Sequence, residues 1–197
     1  MKDCPFCRTP LPKNDVGMLA MVQARVEKKD PEAIYFLGDK YFFGDLGLQK
    51  GTRRAIELYI EAAELGSIDA RYSLGAVYYH GEGVQQDKAK AVEYYKKAAM
   101  KGHVESRYNL GFFERVKGND DRAIKHYLIS AKMGHKDSVE KLKKLFMEAI
   151  ATKDHYAQAL KGCHDAVEEM ESHDRDEWRK WRVTTGMSGG NDESRQG

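Results

Sequence analysis

Three stretches of the chain, AIYFLGDKYFFGDLGL from Ala33, ARYSLGAVYYHGEGV from Ala70 and SRYNLGFFERVKG from Ser106, are versions of one phrase. Leu37, Leu74 and Leu110 stand 37 and 36 residues apart, and each is followed by a glycine, at 38, 75 and 111. A second phrase trails each first one in register. Ala55, Tyr59, Ala62 and Ala63 return as Ala91, Tyr95, Ala98 and Ala99, then as Ala123, Tyr127, Ser130 and Ala131, and Gly66, Gly102 and Gly134 close the copies. A period of this length builds an array in which each unit buries its apolar face against the next.

Both phrases read as helices. Their apolar and small residues recur at i, i+4, i+7 and i+8, which is one face at 3.6 residues per turn, and the alternation of a strand is missing. The first helix of each copy carries an acid in its first turn, Glu32, Asp69 and Glu105, where a carboxylate meets the positive end of the helix dipole. The second ends at a glycine suited to the left-handed cap conformation, and a short GDLG or GEG turn lets the chain double back between the two. A glycine inside a helix costs about 1 kcal/mol relative to alanine. Three in register must therefore admit a close neighbour, and the tyrosines at 72, 78 and 95 are expected to fill the adjacent space. From the leucine to the tyrosine of the second helix the copies run 22, 21 and 17 residues. The shortfall lies in the turn, where RVKGNDD of copy three stands against YYHGEGVQQDKAK of copy two, and trimming there is cheap in loop entropy.

The pattern fades at both ends, as the terminal units of a stacked array require. Met18, Val22 and Val26 precede Ala55, Tyr59 and Ala63 by 37 residues and suggest a lone capping helix. Ser138, Leu142 and Phe146 continue the first phrase, with Lys143 in place of its glycine, and Ala159, Cys163, Ala166 and Val167 continue the second. The expected fold is all-α, a right-handed α-α superhelix, or solenoid, of antiparallel hairpins with about nine helices. Its expected segments are an irregular N-terminus at 1–14, a capping helix at 15–29, and repeats at 30–66, 67–102 and 103–134. A degenerate fourth repeat with a C-terminal helix follows at 135–182, and a polar, glycine-rich, disordered tail at 183–197.

The combined phrase, A-x-Y-x-L-G-x-x-Y-x-x-G-x-G-V followed by A-x-x-Y-x-K-A-A-x-x-G, resembles the Sel1-like repeat, an αα-hairpin related to the tetratricopeptide repeat. Residues 70–102 carry the likeness most fully, and it extends over roughly 30–170. Copy three departs from it at Glu114 and in lacking G-x-G, and copy four has lost its glycines. The resemblance implies a scaffold that gathers partner proteins, as such proteins do in signalling and protein quality control.

CPFCRTPLP at residues 4–12 resembles the closing C-P-x-C-R-x-P of a RING finger. Cys4 and Cys7 would supply two of the four ligands of a tetrahedral zinc, and the other half of such a finger would stand before Met1. A RING remnant is the expectation, with zinc bound there only if further ligands exist. The alternative function is a fragment of a RING-type ubiquitin ligase whose repeats select substrate.

Thirty-three basic against thirty-one acidic residues leave a formal charge of +2, too balanced to point to nucleic acid or an anionic membrane. No apolar run approaches the ~18 residues of a membrane span, MKDCPFC lacks the apolar stretch of a signal peptide, and three cysteines do not make a secreted disulfide framework. A cytoplasmic protein, monomeric or weakly oligomeric, with a protein or peptide partner is expected.

The sequence holds no clustered catalytic set. Cys163 and His164 are adjacent on a helix, so they point about 100° apart, and Cys163 occupies the core slot of Tyr59, Tyr95 and Tyr127. His103 and His135 each follow a capping glycine and open the next helix. Trp178 and Trp181 lie on one helical face and are expected to lid the end of the array. A non-catalytic binding protein is expected, with the first helices lining the inner surface. The positions beside the repeated leucine vary while their neighbours stay fixed: Phe36, Ser73 and Asn109 just before it, and Lys40, Val77 and Phe113 one turn later. These six are the candidate partner-binding residues.

Overall fold

The structure, a computed structural model, describes residues 14–184, and side chains as far as 173. Cys4 and Cys7, and with them the expected RING remnant, lie outside the described residues, as do the side chains of Trp178 and Trp181 and the tail from 185 onward. Nine helices and no strand occupy the described residues: α1 (Asp15–Val26), α2 (Pro31–Phe43), α3 (Thr52–Glu64), α4 (Ile68–His80), α5 (Lys88–Ala99), α6 (Val104–Val116), α7 (Asp120–Lys132), α8 (Lys136–Met147) and α9 (Lys153–Thr184). The fold is an all-α helical repeat. It divides into two compact units at residue 123, within α7.

The helix starts follow local chemistry. Asp30 accepts from the amides of Glu32 and Ala33, Ser67 from Ala70, and Asp87 from Lys90, each satisfying donors that a helix N-terminus leaves open. The expected acids sit in the first turns of α2, α4 and α6.

In the first unit α2 packs along α3 and α4 along α5, with α1 against α2 and the hairpins joined through α3–α4 and α5–α6. Ile34, Leu58, Tyr59, Ala62 and Leu74 form one core, all at most 2% exposed. Val22 of α1 belongs to it, with Leu19 and Val26 packed against it. A second core gathers Ala91, Val92, Tyr95, Leu110 and Phe113.

The helix-interior glycines have the expected purpose, with a different set of rings. A Cβ on Gly38 would stand 2.9 Å from two ring carbons of Tyr59, and one on Gly75 2.6 Å from Cε1 of Tyr95. Tyr59 and Tyr95 are thus the rings that enter the niches. Tyr72 packs beside Tyr95 with ring centroids 5.9 Å apart, and Tyr78 turns away to stack on Tyr94 at 5.7 Å. Tyr72 and Tyr78 fill no niche because they stand on α4 with Gly75, whereas the ring that enters comes from α5.

In the second unit α8 packs on α9. Val139, Leu142, Leu145, Ala151, Ala159 and Cys163 are buried there, and Ser138 donates to Ser130 across 2.9 Å. Phe146, read as a core match, is 39% exposed and stacks on Tyr156 at 6.3 Å.

Candidate protein-binding surface

The first helices of the repeats, α2, α4 and α6, bring their nominated positions to different depths. Phe36 is exposed, with the Lys40 ammonium 4.8 Å from its ring centroid and 3.1 Å from Asp45. Ser73 is half-buried, and its hydroxyl reaches Tyr35 Oη at 3.5 Å. Asn109 is half-buried and interacts with the phenols of Tyr72 and Tyr95. Val77 and Phe113 are 3% and 8% exposed and belong to the two cores. Variation at these two positions changes the size of a core side chain, and Val77 offers no surface to a partner.

Asn109 and Phe113 meet at a cavity of about 330 Å³ between α4 and α6, whose walls also include Tyr72, Tyr79, Tyr108 and Phe112. Tyr79 and Phe113 meet edge to face at 5.4 Å, and Phe112 is 38% exposed. Burial holds the Tyr72 phenol above its ordinary range, with Glu105 adding to the rise, so this wall is neutral at physiological pH. Five tyrosine or phenylalanine residues of this cavity, Tyr72, Tyr79, Tyr95, Tyr108 and Phe112, were not among the nominated positions. Three of them, Tyr72, Tyr108 and Phe112, directly flank nominated positions, and that adjacency is their signal in the sequence.

Matching arginines fix α6 against α5 and α4 against α3. Arg107 donates from Nη2 to the Ala99 carbonyl at 2.8 Å, and Arg71 donates likewise to Ala63 at 3.0 Å. Each arginine thereby ties its helix to a carbonyl at the end of the preceding repeat's second helix, as a second donor beside the backbone amides of Gly66 and Gly102. Neither had been singled out from the sequence, although ARYSLG and SRYNLG both display the arginine. His103 caps α6, as its position after a glycine suggested: its Nδ1 accepts from the Ser106 amide at 3.1 Å, and its ring stacks on Tyr72 at 4.5 Å.

That cap makes stability sensitive to acid. An accepting Nδ1 requires the proton on Nε2, which lies 3.5 Å from Asp69 Oδ1. Burial lowers the His103 pKa from its ordinary 6.5, against the opposing pull of Glu105 and Asp69. Folding therefore favours the neutral ring. The resulting stability is complete above about pH 6.5 and is lost as pH falls from there toward the folded pKa. His103→Asn keeps a capping oxygen but cannot titrate. Between about pH 7.5 and pH 5.5 the wild-type melting temperature should fall further than that of the variant; equal falls would remove His103 as the cause.

The chemistry elsewhere is plain. Cys163 is buried and His164 exposed, as adjacent positions on a helix require. His164 lies 3.5 Å from Glu168 on the surface of α9. No helix among the described residues is long and apolar enough to cross a membrane.

Antiparallel helix hairpins repeated at a fixed period, with aromatic side chains gathered along the first helices, define a helical repeat protein of the solenoid class. The Sel1 repeat family model matches residues 31–67, 68–103 and 104–135, more than half of the chain, and the chain belongs to that family. The matched copies are the three that read alike; the degenerate fourth is not among them. A comparison with curated proteins gives no match. Among solved structures, c5321, a protective antigen present in uropathogenic Escherichia coli strains and displaying an SLR fold, is 32% identical with a TM-score of 0.65, covering 77% of this chain and 33% of its own. A Sel1 repeat protein from Oxalobacter formigenes has the same kind of fold at 24% identity and a TM-score of 0.67, covering 79% of this chain and 64% of its own. The chain thus spans a third of the first protein and under two thirds of the second.

Proposed function

We propose that the protein is a non-catalytic scaffold that binds a peptide or protein segment along the face formed by α2, α4 and α6. The observation that carries the reading is the cavity between α4 and α6. It combines tyrosine and phenylalanine walls with the Asn109 amide, the mixture of apolar area and a few placed polar groups that recognition sites use. Phe36 and Ser73 continue the same row of helices and would take further residues of an extended partner. Membership of the Sel1 repeat family supports a protein partner over a small substrate.

Affinity capture followed by mass spectrometry tests this with two variants. Asn109→Arg places a long cation in the cavity, and Arg53→Glu changes a side chain on α3 that is 95% exposed. Partners of the wild-type chain should disappear from Asn109→Arg by about tenfold or more and persist with Arg53→Glu, while the circular-dichroism melts of all three coincide. Retention by Asn109→Arg would reject this face.

A further inference from the structure

We propose that the short turn of repeat three leaves open a second docking groove, on α5, for a partner segment carrying an aliphatic residue among acidic ones. It goes beyond the inner-face reading, whose cavity shares three wall residues with it.

The argument starts from the long turn of repeat two. Between α4 and α5 run seven residues, 81–87, and Gly81 and Gly83 take φ of 76° and 74°, a left-handed region that favours glycine. The turn folds back over the preceding repeat. At Gly83 the backbone lies so close to α3 that a Cβ would stand 2.6 Å from Thr52 Cγ2 and 3.2 Å from Ile56 Cδ1. Val84 packs against the same core, and Ile56 is left 6% exposed. The segment Glu82-Gly83-Val84 is thus a lid on α3.

One repeat later the lid is gone. Lys88 and Val92 of α5 stand 36 residues after Thr52 and Ile56, the same offset that relates Ala91 and Tyr95 to Ala55 and Tyr59. Between α6 and α7 there are only three residues, Lys117, Gly118 and Asn119, four fewer than in the turn before. Three residues span the gap between helix ends and leave no chain to fold back. What remains is a groove of about 420 Å³ lined by Ala89, Tyr79, Phe112 and Val116, of which Ala89, Phe112 and Val116 are exposed, while Val92 beneath them stays in the core at 8% exposure. Val116 is 69% exposed.

The rim states the charge of the occupant. Lys88, Lys96 and Lys117 line the groove together with one acid, Glu93, which Lys96 already engages at 2.8 Å. Lys88 and Lys117 therefore leave the opening positive. The lid on the equivalent face of α3 is an acid, a glycine and a valine in succession. A partner loop or extended strand of the same kind would bury its aliphatic side chain against the exposed Ala89, Phe112 and Val116 and set carboxylates against the two lysines. The groove shares Tyr79, Phe112 and Phe113 with the inner-face cavity, but its floor on α5 is separate.

A random peptide-display library selected on the full chain, with fluorescence polarisation of the winning peptides, tests the proposal. The winners should share an aliphatic residue flanked by Asp or Glu. Ala89→Arg, an exposed position on the groove wall, should weaken them by about tenfold or more, as should Lys117→Glu. So should a chain in which residues 117–119 are replaced by the sequence of 81–87, which restores a lid. Binding should also weaken as salt rises from about 0.05 M to about 0.5 M. Selection that yields no binder, winners without the acidic and aliphatic pattern, or winners unaffected by Ala89→Arg and Lys117→Glu would each overturn the groove. Winners lost on Asn109→Arg alone would overturn it too and leave the inner face standing.

Discussion

Gly75→Ala should destabilise the chain by about 2 kcal/mol. Its new methyl carbon would lie 2.6 Å and 2.7 Å from two carbons of the Tyr95 ring, and that ring is 3% exposed and cannot swing aside. Overpacking of this severity belongs at the upper end, about 3 kcal/mol, of what such insertions cost. The better helix propensity of alanine returns about 1 kcal/mol. Thermal melts should show a fall of about 4–8 °C. Gly38→Ala should cost less, because the nearest Tyr59 carbons are 2.9 Å away. The cause is checked by a double-mutant cycle: Tyr95→Leu removes the ring, so the double variant should be more stable than the sum of the two losses predicts, by about 1 kcal/mol or more. Additive losses would show that glycine is needed there for another reason.

Leu74→Ala should cost more, about 3 kcal/mol. Leu74 is fully buried and stands in the core that links α1, α2, α3 and α4. Removing its side chain forfeits transfer energy and leaves a void that rigid hairpins close only in part. In an array whose units lean on one another, damage to a middle unit is felt on both sides. Urea denaturation should show the loss, and amide exchange should quicken in α3 and α5 together. A loss under about 1 kcal/mol would mean that the hairpins relax around the gap.

The fold was legible because the constraint repeats. Gly38 and Gly75 recur beside the same leucine, and only a close helix–helix approach accounts for an interior glycine in every copy. The identity of the filling rings was less so: of Tyr72, Tyr78 and Tyr95 only Tyr95 enters a niche, joined by Tyr59, because Tyr72 and Tyr78 share a helix with Gly75. The candidate surface was harder still. Lys40, Val77 and Phe113 share a register position and differ in chemistry, which from one sequence reads as a variable surface. In the structure that position sits at the margin of the core, so an apolar residue sinks inward while Lys40 bridges Phe36 and Asp45. The shortened turn of copy three was visible as a difference in length. The groove it leaves beside Ala89 and Val116 was not, because nothing in the sequence reveals that Gly83 and Val84 reach back across α3.

The guanidinium clamps of Arg71 and Arg107 bear on how an array like this lengthens. The hairpin made by α4 and α5 carries an arginine at its leading edge and, in Ala99, the accepting carbonyl at its trailing edge. It is its own complement, so a gene duplication of that hairpin would seat against the original with no new chemistry. Val139 stands where the next arginine would, buried at 6% exposure and without a donor. At that joint the link is made by Ser138 donating to Ser130 instead, so a copy inserted there would need a different partner set.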